Sequence, residues 1–256
     1  MMCKLSPRLE TIVSFIEKDS AVADVGTDHG LLPVYLAQTN LARRIIATDI
    51  SAGSLDSALR NAIKYGVEEK ITFLVADGLS GVDESIVDTV VAAGIGGETI
   101  AEIIGKAVWT RNPGVNLILQ PQTKTGELCR MLAESGYEIS DAKLALDKGR
   151  YYIILKAAGV KPGMRRAPDS PAVPDGQDDP GGQGVPGGQG VPDLSRDHEV
   201  ELLEMLKERS DPLFGAYLSE QIKRTHKAVA GTALSKTLKS ERLRSKLLKL
   251  QELQQF

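Results

Sequence analysis

The sequence predicts an α/β protein in which helices cover both faces of a mostly parallel sheet that ends in an antiparallel hairpin. Five short apolar runs alternate with segments of helical periodicity over residues 1–136, as expected for parallel strands joined by crossover helices. Two more strand-like runs follow with only four residues between them, a connection that permits a hairpin and excludes a crossover. A Gly- and Pro-rich stretch then separates this region from a charged, helical C-terminal part.

Each predicted element follows from its local pattern. The parallel strands are predicted at residues 21–26, 44–50, 71–77, 87–94 and 115–120, the connecting helices at 31–39, 51–65, 98–109 and 124–135, and the hairpin strands at 137–146 and 151–157. Ser51 suits the start of the second helix, because its hydroxyl can accept a free backbone N–H of the first turn. Gly66 and Gly136 follow helix ends, where a left-handed residue is favoured.

The order of the elements and the composition restrict the class of protein. Five parallel strands followed by a hairpin are typical of the sheet of S-adenosylmethionine (SAM) methyltransferases, whereas dinucleotide dehydrogenases more often continue with a sixth β/α unit. The longest apolar run, residues 89–97, falls short of the roughly 20 residues that cross a bilayer. Cys3 and Cys129 form neither a disulfide framework nor a zinc cluster. We therefore expect a cytoplasmic monomer without a metal, a membrane segment or a signal peptide.

The chain is predicted to form three parts: a domain at residues 1–158, a disordered linker at 159–193 and a basic helical tail at 194–256. Between residues 162 and 192, 15 of 31 residues are Gly or Pro, and no Leu, Ile or aromatic residue occurs from 159 to 193. Burial in this stretch cannot offset the entropy of ordering its backbone. In the tail, helices are predicted at 195–210, at 213–229 and after Gly231, the last two antiparallel as in a coiled coil.

The tail carries a block of positive charge on an otherwise acidic chain. Nine Lys or Arg residues and one acid lie between Lys223 and Lys249, while the net charge of the whole chain is −3. Such a block indicates a polyanionic partner, although a solvated helix face has the same composition. The residues that would contact the polyanion are Lys223, Arg224, Lys227, Lys236, Lys239, Arg242, Arg244 and Lys246.

The turn after the first strand has the residues of a nucleotide-binding loop. From Asp24 to Gly30 it reads Asp-Val-Gly-Thr-Asp-His-Gly, and a helix follows. Glycines at such a turn let the backbone approach a ligand closely, with free N–H groups of the helix start facing it. The match to G-x-G-x-x-G is imperfect, because Asp28 replaces the middle glycine. A plain tight turn is the alternative interpretation.

Acidic residues end three of the predicted strands: Asp24, Asp49 and Asp77. Ligands of open α/β sheets bind outside the carboxyl ends of the strands. Asp49 is expected to accept the hydroxyl protons of a ribose and Asp77 to lie near an adenine, although each acid alone could instead cap a helix. The predicted cofactor-binding residues are Asp24, Gly26, Thr27, Asp49, Ile50, Asp77, Gly78, Ala93, Gly94 and Gly96.

The ends of the fourth and fifth predicted strands, at residues 93–97 and 119–122, complete the candidate site. The motifs together resemble a known family. At residues 119–122 the sequence is Leu-Gln-Pro-Gln, where Gln120 and Gln122 are either hydrogen-bonding groups at the site or part of a polar loop. The resemblance is to the TrmK-type tRNA (adenine-22 N1) methyltransferases, and it covers residues 4–158 well and 211–256 loosely. It rests on Leu-Ser-Pro-Arg-Leu at 5–9, the loop at 23–30, Ala-Gly-Ile-Gly-Gly at 93–97, the motif at 119–122, Tyr-Tyr-Ile-Ile at 151–154 and Asp-Pro-Leu-Phe-Gly-Ala-Tyr-Leu at 211–218.

The resemblance implies a Rossmann-like domain that binds SAM, a C-terminal coiled coil, and methylation of adenine N1 in bacterial tRNA. Because N1 carries an available lone pair, the reaction needs alignment and stabilisation of the positive charge that develops on the base, not a strong base. Asp28 is the predicted charge-stabilising residue, with Gln120 behind it. His29 either relays a proton of the amine or bonds to the backbone at the helix start. Arg8 either contacts an RNA phosphate or pairs with a nearby carboxylate.

Two other functions fit the same residues. The protein could methylate a small molecule or a protein, in which case the tail would be an interaction module. Alternatively, it could be a non-catalytic nucleotide-binding or RNA-binding protein on the same scaffold. The Gly- and Pro-rich linker and the acidic helix after it are not expected of the TrmK-type family.

Overall fold

The computed structural model describes residues 1–160, 198–231 and 238–255, without the side chains of 238 and 239. Its centre is a seven-stranded sheet in the order β3-β2-β1-β4-β5-β7-β6. The strands are β1 (Ser20–Val25), β2 (Ala42–Asp49), β3 (Thr72–Val75), β4 (Thr89–Ile95), β5 (Asn116–Pro121), β6 (Tyr137–Asp147) and β7 (Arg150–Gly159). Strands β1 to β5 pair in parallel, whereas β7 is antiparallel to both β5 and β6. The predicted mostly parallel sheet with a terminal hairpin is confirmed.

The helices of the domain largely follow the predicted pattern. They are α1 (Pro7–Val13), α2 (Leu31–Thr39), α3 (Ala52–Tyr65), α4 (Gly97–Lys106) and α5 (Thr125–Glu134). The hydroxyl of Ser51 accepts the backbone N–H of Ser54 at 3.3 Å, so the predicted cap of α3 is confirmed. The helix predicted at 98–109 ends at Lys106 and is followed by a 3₁₀ turn at Val108–Arg111. Helix α1 was not predicted, because seven residues are too few to show a helical period.

The two faces of the sheet form two hydrophobic cores. Successive strand residues point to opposite faces, so Val90 and Leu117 belong to one core, and Val91 and Ile118 belong to the other. All four side chains are completely buried. Residues of α4, α5 and the C-terminal helices cover the first core, and residues of α1, α2 and α3 cover the second. Burial on both faces explains why the central strands are almost continuously apolar.

The C-terminal helices pack against the domain. They are α6 (His198–Glu208), α7 (Phe214–Gly231) and α8 (Leu238–Gln255). Leu202, Leu203 and Leu206 of α6 are buried in the first core, next to α5 and β6. Gln254 near the end of α8 donates to the hydroxyl of Ser219 near the start of α7, at 3.5 Å, so the two helices run antiparallel. The predicted antiparallel pair is present, and α6 attaches it to the sheet domain through an apolar contact that the sequence did not predict.

Part of the sequence-based prediction lies outside the described residues. This applies to the predicted linker beyond residue 160 and to Lys236, while only the backbone of Lys239 is described. In the part of the chain that the structure describes, no helix combines the length and the apolar character needed to cross a membrane. Nor do the described residues contain a group of three or more His, Cys, Asp or Glu side chains arranged to hold a metal ion.

Candidate active site

The ends of β1, β2 and β4 meet around a cavity of about 480 Å³, which we call the first cavity. It lies between the loops that follow β1 and β4, with residues of α1 and α2 on its walls. Of the residues predicted from the sequence, it brings together Asp24, Gly26, Thr27, Asp28, His29, Asp49, Ala93 and Gly94. It also includes side chains that were not assigned to the cofactor site, namely Arg8, Leu9, Leu31, Leu32, Ser54, Ile95 and Gln122.

The loop after β1 turns tightly because alternate residues adopt left-handed backbone conformations. The φ angle is +72° at Gly26, +46° at Asp28 and +65° at Gly30. A Cβ at Gly30 would lie 2.6 Å from the Cβ of Ala58 on α3, so only glycine permits this close contact. Asp28 is a non-glycine residue in a conformation that few such residues adopt, at the position that the dinucleotide fingerprint gives to glycine.

Asp24 is a buried carboxylate at the end of the central strand. It is only 6% exposed, and its Oδ2 accepts the hydroxyl of Thr27 at 2.7 Å. Desolvation raises the pKa of Asp24 to about 6, while the hydrogen bond from Thr27 and the positive charge of Arg8 oppose this rise. A carboxylate that is costly to ionise beside a cavity is suited to receive a positively charged group.

Asp49 ends β2, and two backbone N–H groups orient its carboxylate. Its Oδ1 accepts the N–H of Ser51 at 2.8 Å, and its Oδ2 accepts the N–H of Asp28 at 3.4 Å. The second hydrogen bond links the end of β2 to the loop after β1. A carboxylate at this edge of an open α/β sheet is in the usual position for accepting ribose hydroxyl groups.

Asp28 and His29 lie at the rim of the first cavity with exposed side chains. Their carboxylate and ring Nε2 are 3.6 Å apart, and 71% of the Asp28 side chain and 66% of the His29 side chain are exposed. The side-chain amide of Asn61 donates to the carbonyl of His29 at 2.9 Å, which fixes the backbone of the rim to α3. The two side chains are therefore accessible to a second ligand that approaches the first cavity.

The structure corrects the position predicted for Gln120. From the sequence, Gln120 is the second candidate after Asp28 for a hydrogen-bonding group at the reacting base, but its side chain is completely buried. Its Oε1 accepts Nη1–H of Arg8 at 2.7 Å, and its Nε2 donates to the carbonyl of Pro121 at 2.9 Å. Because no part of this side chain is exposed, the amide is not available to a substrate in this structure.

The structure places the side chain of Arg8 in the lining of the first cavity, where its hydrogen-bond acceptor is Gln120 and not a neighbouring carboxylate. The predicted contact with an RNA phosphate stays a prediction. The guanidinium lies 5.7 Å from the ring centroid of Tyr152 and donates to Gln120. Because 112 residues separate Arg8 from Gln120, no local pattern in the sequence indicates this contact. The Ser-Pro-Arg-Leu motif at residues 6–9 drew attention to Arg8, but it did not indicate where the side chain would lie.

Several predicted cofactor residues lie beside the first cavity and not in its lining: Ile50, Asp77, Gly78 and Gly96. Asp77 forms an ion pair with Lys106 of α4 at 3.1 Å. Gly78 is needed for packing, since a Cβ there would lie 2.8 Å from the side chain of Ile103. The contact of these residues with a cofactor therefore stays a prediction.

A second cavity, of about 640 Å³, lies between the sheet domain and the C-terminal helices. It is bounded by residues 121–127, by the first residues of β7 and by side chains of α6 and α7. Gln122 lines both cavities, so the two adjoin. The lining of the second cavity combines three tyrosines, three cations and two carboxylates: Tyr151, Tyr152, Tyr217, Lys124, Arg150, Arg224, Glu127 and Glu199. The cations exceed the carboxylates by one, so the lining keeps a positive charge, which together with the tyrosines suits an anionic ligand that carries an aromatic group.

The basic residues of the tail do not form one uniform surface. Arg224 forms an ion pair with Glu220 and faces the second cavity. Lys246 departs from the prediction, because its Nζ lies 2.7 Å from the carboxylate of Glu199 and both side chains are only about one quarter exposed. This pair joins α8 to α6. Five of the predicted basic residues are exposed in the described part of the tail: Lys223, Arg224, Lys227, Arg242 and Arg244.

Fold and first cavity together define the class of the protein. A parallel sheet with a Gly-containing loop after its central strand and a carboxylate at the end of the neighbouring strand binds a nucleoside-containing cofactor outside the strand ends. The terminal antiparallel hairpin is typical of methyltransferases. The chain belongs to the methyltransferase domain family, whose model matches residues 5–155.

Within this family, the chain is similar to tRNA methyltransferases. The tRNA (adenine(22)-N(1))-methyltransferase of Bacillus subtilis is 32% identical over 154 residues, which are 60% of this chain and 65% of that enzyme. The match thus spans just under two thirds of that relative. The crystal structure of the B. subtilis m1A22 tRNA methyltransferase TrmK has a TM-score of 0.76 at 23% identity and covers 98% of this chain and 99% of that one. M. capricolum TrmK in complex with S-adenosyl-homocysteine has a TM-score of 0.71 at 22% identity, covering 98% of each chain.

Replacing Asp24 by Asn should stabilise the ligand-free protein at pH 7. The folded pKa of about 6 exceeds the ordinary 3.8, so ionisation of Asp24 costs stability progressively as pH rises from about 4 to 6. Two pKa units correspond to roughly 2–3 kcal/mol. Urea unfolding of the Asp24→Asn variant should show a gain at pH 7 that vanishes near pH 4. The exposed Asp56→Asn variant serves as the control, and a loss of stability at pH 7 in Asp24→Asn would contradict this interpretation.

Proposed function

We propose that this protein is a SAM-dependent methyltransferase that transfers a methyl group to N1 of an adenine, at position 22, in bacterial tRNA. One observation carries the proposal: a cavity suited to a nucleoside cofactor adjoins a second, aromatic and basic cavity in a chain 32% identical to a B. subtilis enzyme named for this reaction. Adjoining cavities meet the main requirement of group transfer, which is to hold donor and acceptor atoms within reach of each other.

The first cavity offers complementary groups to SAM, which supplies the methyl group from a sulfonium when it is bound. Asp49 is proposed to accept the ribose hydroxyls, and Asp24 to receive the amino group of the methionine part. The carboxylates of Asp24, Asp28 and Asp49 favour a cationic ligand. The other proposed contacts are Gly26, Thr27, Ile50, Asp77, Gly78, Ala93, Gly94 and Gly96.

Methyl transfer to adenine N1 requires no prior deprotonation, because the lone pair of N1 is available at neutral pH. The protein has to orient the base and stabilise the positive charge that spreads toward the exocyclic amine. Asp28, at the rim of the first cavity, is proposed to stabilise this charge. His29, 3.6 Å from the carboxylate of Asp28, is proposed to receive a proton from the amine afterwards.

The second cavity is proposed to hold the target nucleotide, extruded from the tRNA so that N1 can be reached. Tyr152 lines this cavity and also lies against Arg8 of the first, so it is proposed to stack on the base between them. Arg150 and Arg224 supply positive charge for the adjacent phosphates. The proposed path of the RNA backbone continues along α7 and α8 over Lys223, Lys227, Arg242 and Arg244. Lys236 and Lys239 are proposed as further RNA contacts from the sequence alone.

The proposal includes a division of labour along the chain. Residues 1–158 would bind the cofactor and perform the transfer, residues 159–193 would form the linker, and residues 194–256 would hold the RNA. In this organisation the linker connects β7 to α6, two elements that contribute to the same hydrophobic core. A monomer in the cytoplasm, where tRNA is modified and both buried cysteines stay reduced, completes the proposal.

The function is tested by incubating an unmodified bacterial tRNA transcript with the protein and SAM, and by measuring 1-methyladenosine in nuclease digests by mass spectrometry. We expect 1-methyladenosine at position 22 and none in a transcript with guanosine at that position. Transfer to a small molecule or protein alone, or binding of tRNA without transfer, would replace the proposal by one of the two other functions.

Substitution of Asp28 by Asn should impair the chemical step. The change removes a negative charge that acts mainly in the transition state, so kcat should fall by about 10- to 100-fold while the KM values for SAM and tRNA stay within about threefold. Steady-state kinetics with both substrates provides the measurement, with the exposed Glu69→Gln variant as control. An unchanged kcat with a raised KM for tRNA would show that Asp28 only positions RNA.

Neutralising Lys223 and Lys227 together should weaken tRNA binding in a salt-dependent way. Each lost phosphate contact removes about 0.7–0.9 from the slope of log K against log salt, so the double Lys→Gln variant should lose roughly 1.4–1.8. Fluorescence titrations at several salt concentrations measure this slope. The Lys4→Gln, Lys18→Gln protein, which loses the same charge at exposed positions outside the tail, is the control. Equal slopes in the wild-type and tail variants would remove α7 from the RNA interface.

A further inference from the structure

Arg8 is fixed in the first cavity by three elements of the sheet. Gln120 of β5 accepts its Nη1–H at 2.7 Å, and the ring of Tyr152 on β7 lies 5.7 Å from the guanidinium carbon. A Cβ on Gly94 of β4 would approach Nη1 to 3.3 Å, so the glycine leaves room for the guanidinium. Gln120 uses one of the five N–H donors of Arg8. The bond to Gln120 orients the guanidinium and leaves four N–H donors. A bidentate partner would use two of these.

The charges around Arg8 restrict what it can bind. Among the described residues that line the first cavity, Arg8 is the one Lys or Arg, and it stands against the carboxylates of Asp24, Asp28 and Asp49. Its charge reaches Asp24, since it opposes the rise in the pKa of that group. An anionic group of a ligand would be repelled by the three carboxylates and attracted by Arg8. The lining therefore favours a negatively charged group of a ligand next to Arg8 and a positively charged group next to the carboxylates.

The amino-acid end of SAM has this separation of charge, with a carboxylate and an ammonium on the same carbon. We propose that Arg8 binds the carboxylate of the cofactor through two N–H···O hydrogen bonds, while Asp24 receives the neighbouring ammonium; the inference rests on SAM being the cofactor. A planar guanidinium matches a carboxylate in this bidentate way, and an ammonium does not. Gln120 is then a positioning residue, which orients the guanidinium and does not touch the ligand.

A purely structural role for Arg8 makes a different prediction. Its bond to Gln120 also ties α1 to β5, so loss of Arg8 could disturb the first cavity as a whole. In that case the affinity for every cofactor analogue would fall together. If Arg8 binds the carboxylate, only ligands that have a carboxylate lose affinity. The distinction needs a pair of ligands that differ in this group alone.

SAM and its decarboxylated form, S-adenosylmethioninamine, are such a pair. Their dissociation constants should be measured by calorimetry for the wild type and for Arg8→Met, Arg8→Lys and Gln120→Met. Arg8→Met should raise the dissociation constant of SAM by about 10- to 100-fold, the effect of losing hydrogen bonds to a charged group. The dissociation constant of the decarboxylated ligand should rise by no more than about threefold, or fall. Arg8→Lys should lose less, and Gln120→Met should reduce the preference for SAM without abolishing it. Lys4→Met, which removes an exposed charge just before α1, should change neither constant.

The ratio of the two constants within one variant decides the question, so a moderate loss of stability does not obscure it. Equal weakening of both ligands by Arg8→Met would overturn the proposal in favour of a structural role. An unchanged affinity for SAM would overturn it as well. If the wild type binds neither ligand, the SAM-dependent function fails and the role of Arg8 falls with it, which is a distinct outcome from either of the others.

Discussion

The burial of Asp24 at the end of the central strand is the constraint on which the rest of the site depends. Burial makes the ionised carboxylate costly, as its raised pKa shows, and the folded chain compensates this cost only in part through Thr27 and the charge of Arg8. A positively charged ligand would supply the missing compensation. Stability and binding are therefore in opposition at this residue, which is common where a side chain is kept for a ligand and not for the fold.

The loop after Asp24 and the contacts of Arg8 both orient charged groups that line the first cavity. On one side, the left-handed residues after β1 turn the backbone so that the N–H of Asp28 meets the carboxylate of Asp49, which gives the negative part of the first cavity. On the other side, the buried amide of Gln120 holds the guanidinium of Arg8. Because each group is oriented by hydrogen bonds within the protein, little conformational entropy would be lost when a ligand binds.

Whether a feature of the fold or the site could be predicted depends on how far apart in the sequence the residues that determine it lie. The strands, the cap at Ser51 and the carboxylate at Asp49 follow from local pattern and from the rule that strand ends meet at one edge. The bond between Arg8 and Gln120 joins residues 112 positions apart and leaves no periodic trace. Lys246 belongs to the same basic block as Lys223, yet it pairs with Glu199 because α6 packs against the domain, which charge composition does not reveal. A glutamine in an apolar strand likewise gives no indication of which neighbour its amide will meet.

The direction of β7 explains how one sheet can serve two cavities. Because β7 is antiparallel to β5, its first residues lie at the edge where the parallel strands have their carboxyl ends, and this brings Tyr152 next to Arg8. A sixth parallel strand would need a crossover helix of its own. The two-residue turn between β6 and β7 needs none, and α6 and α7 instead form the opposite wall of the second cavity. The hairpin that distinguishes this sheet from that of a dehydrogenase therefore also places the aromatic, basic second cavity beside the first cavity.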